Sequence, residues 1–163
     1  MKVFYIFFIF ILFSFTYSSS FKSKVVLVTG GSEGIGFSTS LELARRGAYV
    51  VFCARDSNSK WFNGSASQDI INSDKLVQEI GGQALFFKAD IRIISDMRNF
   101  VSFAHIKFGH IDHFVQNAGI GGWIRNLTEI QDEHLFSEHD PIVNNLYGTI
   151  IALREIVRLK REK

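Results

Sequence analysis

Four glycines, Gly30, Gly31, Gly34 and Gly36, mark the passage from the apolar run Val25-Val26-Leu27-Val28 into an amphipathic segment that starts at Ile35. That order of residue types points to phosphate chemistry. Glycine permits the left-handed backbone of a tight turn and leaves room for a pyrophosphate to approach the main chain. A helix opening directly behind the turn offers unpaired N–H groups and the positive end of its dipole to the same phosphates. Thr29 and Ser32 add short hydroxyl side chains that favour the turn. The stretch reads as a dinucleotide-binding element.

Other reactive groupings carry less. Asp132-Glu133-His134 and Glu138-His139-Asp140 gather metal-ligand residue types, but nothing in their spacing makes them converge. They read as solvated loop, and no metal site is expected. His113, in a strand-like segment, reads as a core histidine. Cys53 is the single cysteine, which excludes an intramolecular disulfide, and it reads as a small buried hydrophobe. No nucleophile stands at a useful spacing from a base. A net charge of +2 makes no electrostatic case for a nucleic-acid partner, and 47% apolar residues exclude a disordered chain.

To position the glycine turn, strands and helices must alternate along the chain. Strand-like segments are expected at Lys24–Val28, Tyr49–Ala54, Ala84–Lys88 and Ile111–Gln116. A helix is expected over Ile35–Arg46, with Ile35, Thr39 and Leu43 on its inward stripe and Gly47 as its stop. Arg55–Ser67 is polar and turn-rich, with Trp61 and Phe62 embedded, and reads as a loop insertion before a helix over Gln68–Ile80 closed by Gly81-Gly82. Ser95 can cap a further helix that buries Met97, Phe100, Val101, Ala104 and Phe108 and ends at Gly109. After a loop over Asn117–Ser137, Asp140 caps and Pro141 opens a last helix running to about Arg161. Its expected inward residues are Ile142, Leu146, Ile150, Leu153 and Val157, and its basic end suits the negative dipole terminus. The alternation predicts an α/β, Rossmann-type, doubly wound parallel sheet.

Residues 1–20 form a separate leader and residues 21–163 the folded domain. Val3–Phe13 is an unbroken apolar run preceded by Lys2 and followed by Ser18, Ser19 and Ser20. It fits a signal peptide with a cut after Ser18 or Ser20. An uncleaved membrane anchor through residues 3–17 and a buried core helix are the alternatives. The endoplasmic reticulum or the secretory pathway is the expected destination. Asn63-Gly64-Ser65 and Asn126-Leu127-Thr128 would be glycan acceptors there.

From Lys22 to Lys160 the chain resembles the short-chain dehydrogenase/reductase family. The resemblance is carried by Thr29-Gly30-x-x-x-Gly34-Ile35-Gly36, by Asp90 after the third strand, and by Asp112 with Asn117-Ala118-Gly119. Asn145-Leu146-x-Gly148 in the last helix completes it. It implies that Ser32 and Ile35 sit against a dinucleotide and that Asp90, with the adjoining Ile91, meets the adenine. It also implies that Asn117 ties neighbouring strands while Ala118-Gly119 lies under the adenosine ribose. Asn145 corresponds to the asparagine that distorts the helix and holds a water in the proton relay. NAD-binding relatives carry an acid at the end of the second strand, where this chain has Ala54 followed by Arg55. A guanidinium can pair with a 2′-phosphate, so NADP(H) is favoured over NAD(H). Glu33 argues the other way, since some NADP-preferring relatives carry a basic residue there.

The family's chemistry also requires a tyrosine with a lysine four residues on, and a serine on the preceding strand. The four tyrosines are followed at that distance by Ile9, Phe21, Cys53 and Ile151. Of the catalytic set only Asn145 is present, and the resemblance implies an incomplete sheet of about four strands in the order 3-2-1-4 with an open edge on the fourth strand. The resemblance implies an alcohol/carbonyl oxidoreductase acting on a small lipid- or steroid-like substrate, with this chain a truncated and inactive form. A non-catalytic dinucleotide- or partner-binding module and a product that does not fold stably are the alternatives. A homo-oligomer is compatible with any folded form.

Overall fold

A computed structural model of the chain describes residues 21–55, 84–121, 127–129 and 140–161. All five residues of β1 (Val25–Thr29) are buried, as are Val50, Val51, Phe52 and Cys53 of β2 (Tyr49–Ala54). A parallel strand covered on both faces needs no polar alternation, which is why both segments read as continuous apolar runs. β3 (Ala84–Lys88) flanks β2, and β4 (His113–Val115) flanks β1. The sheet is parallel throughout, in the order β3-β2-β1-β4, with Leu27 opposite Val51 on one side and Phe114 on the other.

Helices cover both faces. Phe37, Leu43 and Ala44 of α1 (Gly34–Arg45) pack with Val26, Val28, Val50 and Phe52. On the other face, α2 (Ile94–Phe108) buries Met97, Phe100, Val101 and Ala104 against Val25, Leu27, Val51 and Cys53. α3 (Gly148–Arg161) joins that layer through Ala152 and Ile156. Gly47 and Gly109 stop α1 and α2 with φ of 88° and 78°, the left-handed conformation that suits glycine at a helix end.

Several expectations need correction. On α1, only Leu43 of the expected stripe is buried; Thr39 is half-buried and Ile35 is 80% exposed. Gly36, Phe37, Ser40 and Ala44 complete the inner face, because packing selects small residues there as readily as apolar ones. Ser95 does not cap α2, which begins at Ile94 behind the extended residue Ile93. Phe108 is only half-buried and stacks on Tyr49 at a ring separation of 5.1 Å. His113 is exposed rather than in the core, its ring edge-on to Phe21, because β4 is short and flanks only β1.

The last helix departs most. Residues Ile142–Tyr147 form a π-helical segment that leads into α3. Asp140 Oδ1 accepts from the Ile142 N–H, so the expected cap holds in local geometry. Ile142, Leu146, Ile150, Leu153 and Val157, expected inward, are all exposed. The buried line is Asn144, Gly148, Ala152, Glu155 and Ile156. Small residues let this helix close on its neighbours: a Cβ at Gly148 would stand 2.6 Å from Ile91 Cδ1. The leader, the helix expected over 68–80, both glycan acceptors Asn63 and Asn126, and His134 and His139 lie outside the described residues.

Candidate functional site

A cleft of about 310 Å³ opens above the C-terminal ends of the strands. It lies where the strand order turns back, since the chain runs outward from β1 to β3 and then returns to β1's other side as β4. Open α/β sheets bind ligands at such a switch point.

Thr29 and Asn117 build the floor. The Thr29 hydroxyl donates to Gln116 Oε1 at 3.0 Å and accepts from the Asn117 and Ala118 N–H groups at 3.1 and 3.0 Å. Asn117 Nδ2 returns two bonds of 3.1 Å to the carbonyls of Thr29 and Gly30. The ends of β1 and β4 are thereby locked by side chains that complete each other's backbone. Gly30, at φ 65°, passes so close to this floor that a Cβ on it would stand 2.8 Å from Ala118 Cα. A Cβ on Gly36 would reach 2.1 Å from the Gly30 carbonyl oxygen. The glycine turn is therefore a cradle of exposed main chain, with the N-terminus of α1 against it. The first α1 N–H bonded back along the chain is that of Phe37, to Glu33 O, so the amides of Gly34, Ile35 and Gly36 have no helical acceptor.

The side of the cleft beyond the ends of β2 and β3 is shaped by charge. Asp90 accepts from the Arg92 N–H at 2.9 Å and is gripped by its guanidinium, with the shortest contact 2.5 Å. Burial pushes the Asp90 pKa up, but the Arg92 bonds and charge, with the Arg55 charge beyond, outweigh it and hold the carboxyl below its ordinary range. The Asp90 N–H donates to Asp96 Oδ2, which orders the turn in Ser95's stead. Arg55 is exposed at the rim. The Gly31 N–H donates to Cys53 O at 3.1 Å and so fastens the glycine turn to the end of β2.

Of the residues expected at the site, Gly30, Ser32, Ile35, Arg55, Asp90, Ile91, Asn117, Ala118 and Gly119 line this cleft. Thr29, Gly34, Gly36 and Asn145 are not among its lining residues. Thr29 is fully buried under the floor. Asn145 lies in the π-helical segment; its Oδ1 accepts from the Ile120 N–H at 2.8 Å and its Nδ2 donates to the Ile120 carbonyl at 3.0 Å. Its amide therefore holds the loop after β4. Asp112 is far from the cleft, clamping the start of β1 through the Val25 N–H and Lys24. Glu33 and Asn144 also line the cleft, and no periodicity marked either. Among the described residues no cluster of metal-ligating side chains occurs.

Matched against known proteins, residues 24–163 fit the short chain dehydrogenase family. The chain belongs to that family. An 11-beta-hydroxysteroid dehydrogenase-like protein of Arabidopsis thaliana is 32% identical over 148 residues, which is 90% of this chain and 45% of the relative. The 3-ketoacyl-(acyl-carrier-protein) reductase of Brucella melitensis, solved with NADH, superposes with a TM-score of 0.71 at 29% identity. That match covers 86% of this chain and 52% of the reductase. A metagenomic short-chain oxidoreductase solved with NADP gives 0.69 at 26% identity over 86% of this chain and 57% of that one. The chain thus spans about half the length of the relatives it matches. As a member of that family it has a Rossmann-type parallel sheet, in the order β3-β2-β1-β4.

Proposed function

We propose that the cleft binds NADP(H) in preference to NAD(H), and that the protein to which these residues belong is an alcohol/carbonyl oxidoreductase. The observation that carries the cofactor choice is Arg55 at the cleft rim beside Ala54, where a carboxylate would be needed to recognise a free ribose 2′-hydroxyl. A guanidinium can instead form paired, charge-assisted bonds with a 2′-phosphate. The residues fit such a nucleotide: Gly30 and Gly36 leave a cradle that a Cβ would fill, and the α1 amides suit a pyrophosphate. Asp90 and Ile91 face the adenine, and Ala118-Gly119 underlies its ribose. Asn145 fixes the floor of the nicotinamide end through Ile120. The bound nicotinamide would supply or accept the hydride. The Arabidopsis relative's name supports a steroid- or lipid-like substrate. No tyrosine among these residues has the lysine that would tune it as a proton donor, so a protein of the 163 residues binds nucleotide without turnover.

Titration calorimetry with NADPH and NADH tests the reading. The expected result is tighter binding of NADPH, with Arg55→Ala removing most of a difference of about 1.5–3 kcal/mol. Equal affinities in the unmutated protein would reject Arg55 as the selector.

We further propose that residues 1–20 direct the chain to the endoplasmic reticulum. Lys2, the apolar run and the serines that follow support this. Among the described residues no helix is long and apolar enough to cross a membrane. N-terminal sequencing of the mature protein decides it, and an intact Met1 on a diffusely cytosolic protein would reject targeting.

A further inference from the structure

We propose that Arg92 is a positioning residue that withdraws Asp90 from base recognition. Its guanidinium takes up the Asp90 carboxylate, so the cleft accepts a 6-keto purine about as well as a 6-amino one. The inference rests on the dinucleotide reading above, in which Asp90 faces the base, and it states what that acid is left able to do there.

Asp90 lies in the turn between β3 and α2 and lines the cleft. Its Oδ1 accepts from the Arg92 backbone N–H at 2.9 Å and from Arg92 Nε at 3.0 Å. Its Oδ2 accepts from Nε at 3.0 Å and from Nη2 at 2.5 Å. Three N–H donors of one residue thus make four contacts, two on each oxygen. An ionised carboxylate has about four acceptor positions, and these contacts take them all. The main chain holds the acid in this pose. The Asp90 N–H donates to Asp96 Oδ2 at 3.0 Å, and the Asp90 carbonyl accepts from the Ile93 N–H at 3.0 Å. Only 13% of the Asp90 side chain and 20% of the Arg92 side chain are exposed, so little water competes for the pair.

A free carboxylate facing a purine is a strong selector. It accepts from a 6-amino group and repels a 6-keto oxygen. A carboxylate held in this way does neither. An incoming amino group must displace a charge-assisted bond, and a neutral donor returns less than the bond it breaks. A keto oxygen meets an ion pair whose charges offset each other. Ile91, next in the chain and also lining the cleft, offers apolar contact that either base can use.

Nucleotide-binding titrations on the full chain test this, comparing NADH with reduced nicotinamide hypoxanthine dinucleotide, and ADP with IDP. The unmutated protein should bind the two members of each pair within about threefold of one another. Arg92→Ala frees the carboxylate and should shift the ratio to roughly tenfold or more in favour of the 6-amino member. Adding Asp90→Ala to that variant removes the reader and should return the ratio to about one. A purely structural role for Arg92 would lower all four affinities together and leave the ratio where it was. Such an unmoved ratio in Arg92→Ala, with circular dichroism showing a native fold, overturns the proposal. A preference of roughly tenfold or more for the 6-amino member in the unmutated protein also overturns it, and that measurement decides even if Arg92→Ala does not fold. Failure of the unmutated protein to bind any of the four nucleotides overturns the dinucleotide reading itself, and this proposal with it.

Discussion

Thr29 shows how one hydroxyl can hold a site together without touching its ligand. It uses a donor and two acceptor positions, all on the loop after β4, and is fully buried while doing so. Its place in the glycine motif was legible in the sequence, but its role was not. A motif says which residues are near one another and is silent on which of them face outward. Asn145 differs in the same sense, its amide being committed to Ile120. Thr29→Val keeps the shape and removes the hydroxyl. Two backbone amides and the Gln116 carbonyl then lose their partner in a buried place, and unmade bonds of this kind cost about 1–3 kcal/mol. The expected outcome is a loss of that order in urea unfolding, together with weakened nucleotide binding because the floor is no longer fixed. Unfolding curves that superpose on the unmutated protein's would show that water replaces the hydroxyl freely.

At the scale of elements, β2 and β3 were legible to the residue: β2 because its buried middle is a continuous apolar run, and β3 because its short apolar run, half-buried at the sheet edge, ends at the exposed Lys88. α3 was legible as a helix and misread as to face. The apolar residues Ile142 and Leu146 of the π-helical segment and Ile150, Leu153 and Val157 of α3 form a regular stripe, and that stripe is exposed. The packed side instead carries Gly148 and Ala152, which allow close approach, and Glu155, which no hydrophobicity pattern could mark as interior. Glu155 is tolerated there because Arg98 of α2 and Arg154 reach it, at 3.2 and 2.8 Å. Its side chain is 2% exposed while the two arginine side chains are 50% and 51% exposed. Removing a partner from a fully buried pair costs about 3–5 kcal/mol, and the solvated guanidiniums reduce that here. Glu155→Gln should destabilise by about 1–3 kcal/mol, and Arg98→Ala by less than about 1 kcal/mol because Arg154 remains. Thermal unfolding of both variants checks the order; a larger effect for Arg98→Ala would mean that helix packing, not the charge pair, sets the cost.

Over the whole molecule, the parallel sheet with helices on both faces followed from alternation, because the connection rules of parallel sheets leave few topologies, and its strand order followed from the family resemblance. The distribution of ionisable groups did not follow, and it sets how the fold responds to pH. Asp90, Asp112 and Glu155 titrate below the ordinary carboxylate range. For Asp112 the main cause is the Val25 N–H, joined by Lys24. For Asp90 and Glu155, burial acts upward and is outweighed by arginine bonds and charge. A carboxylate with a depressed native pKa contributes stability that is fully present above its unfolded value near ~4 and is lost as pH falls through the native value. Cys53 acts on the other side. Burial pushes its thiol up to about 12, so the native state keeps a proton that the unfolded chain releases above ~8.5. Its contribution is fully present below ~8.5 and declines as pH rises toward the native value, by up to ~1.4 kcal/mol per pH unit. The expected urea midpoint is therefore flat between about pH 5 and 8, falls in acid, and falls again in alkali. Cys53→Ala should be less stable at neutral pH from the lost volume, yet show a shallower decline above pH ~8.5. Parallel alkaline limbs in the two proteins would assign the decline to other groups, and a midpoint that holds steady from about pH 4 to 2 would remove the three carboxylates from the account.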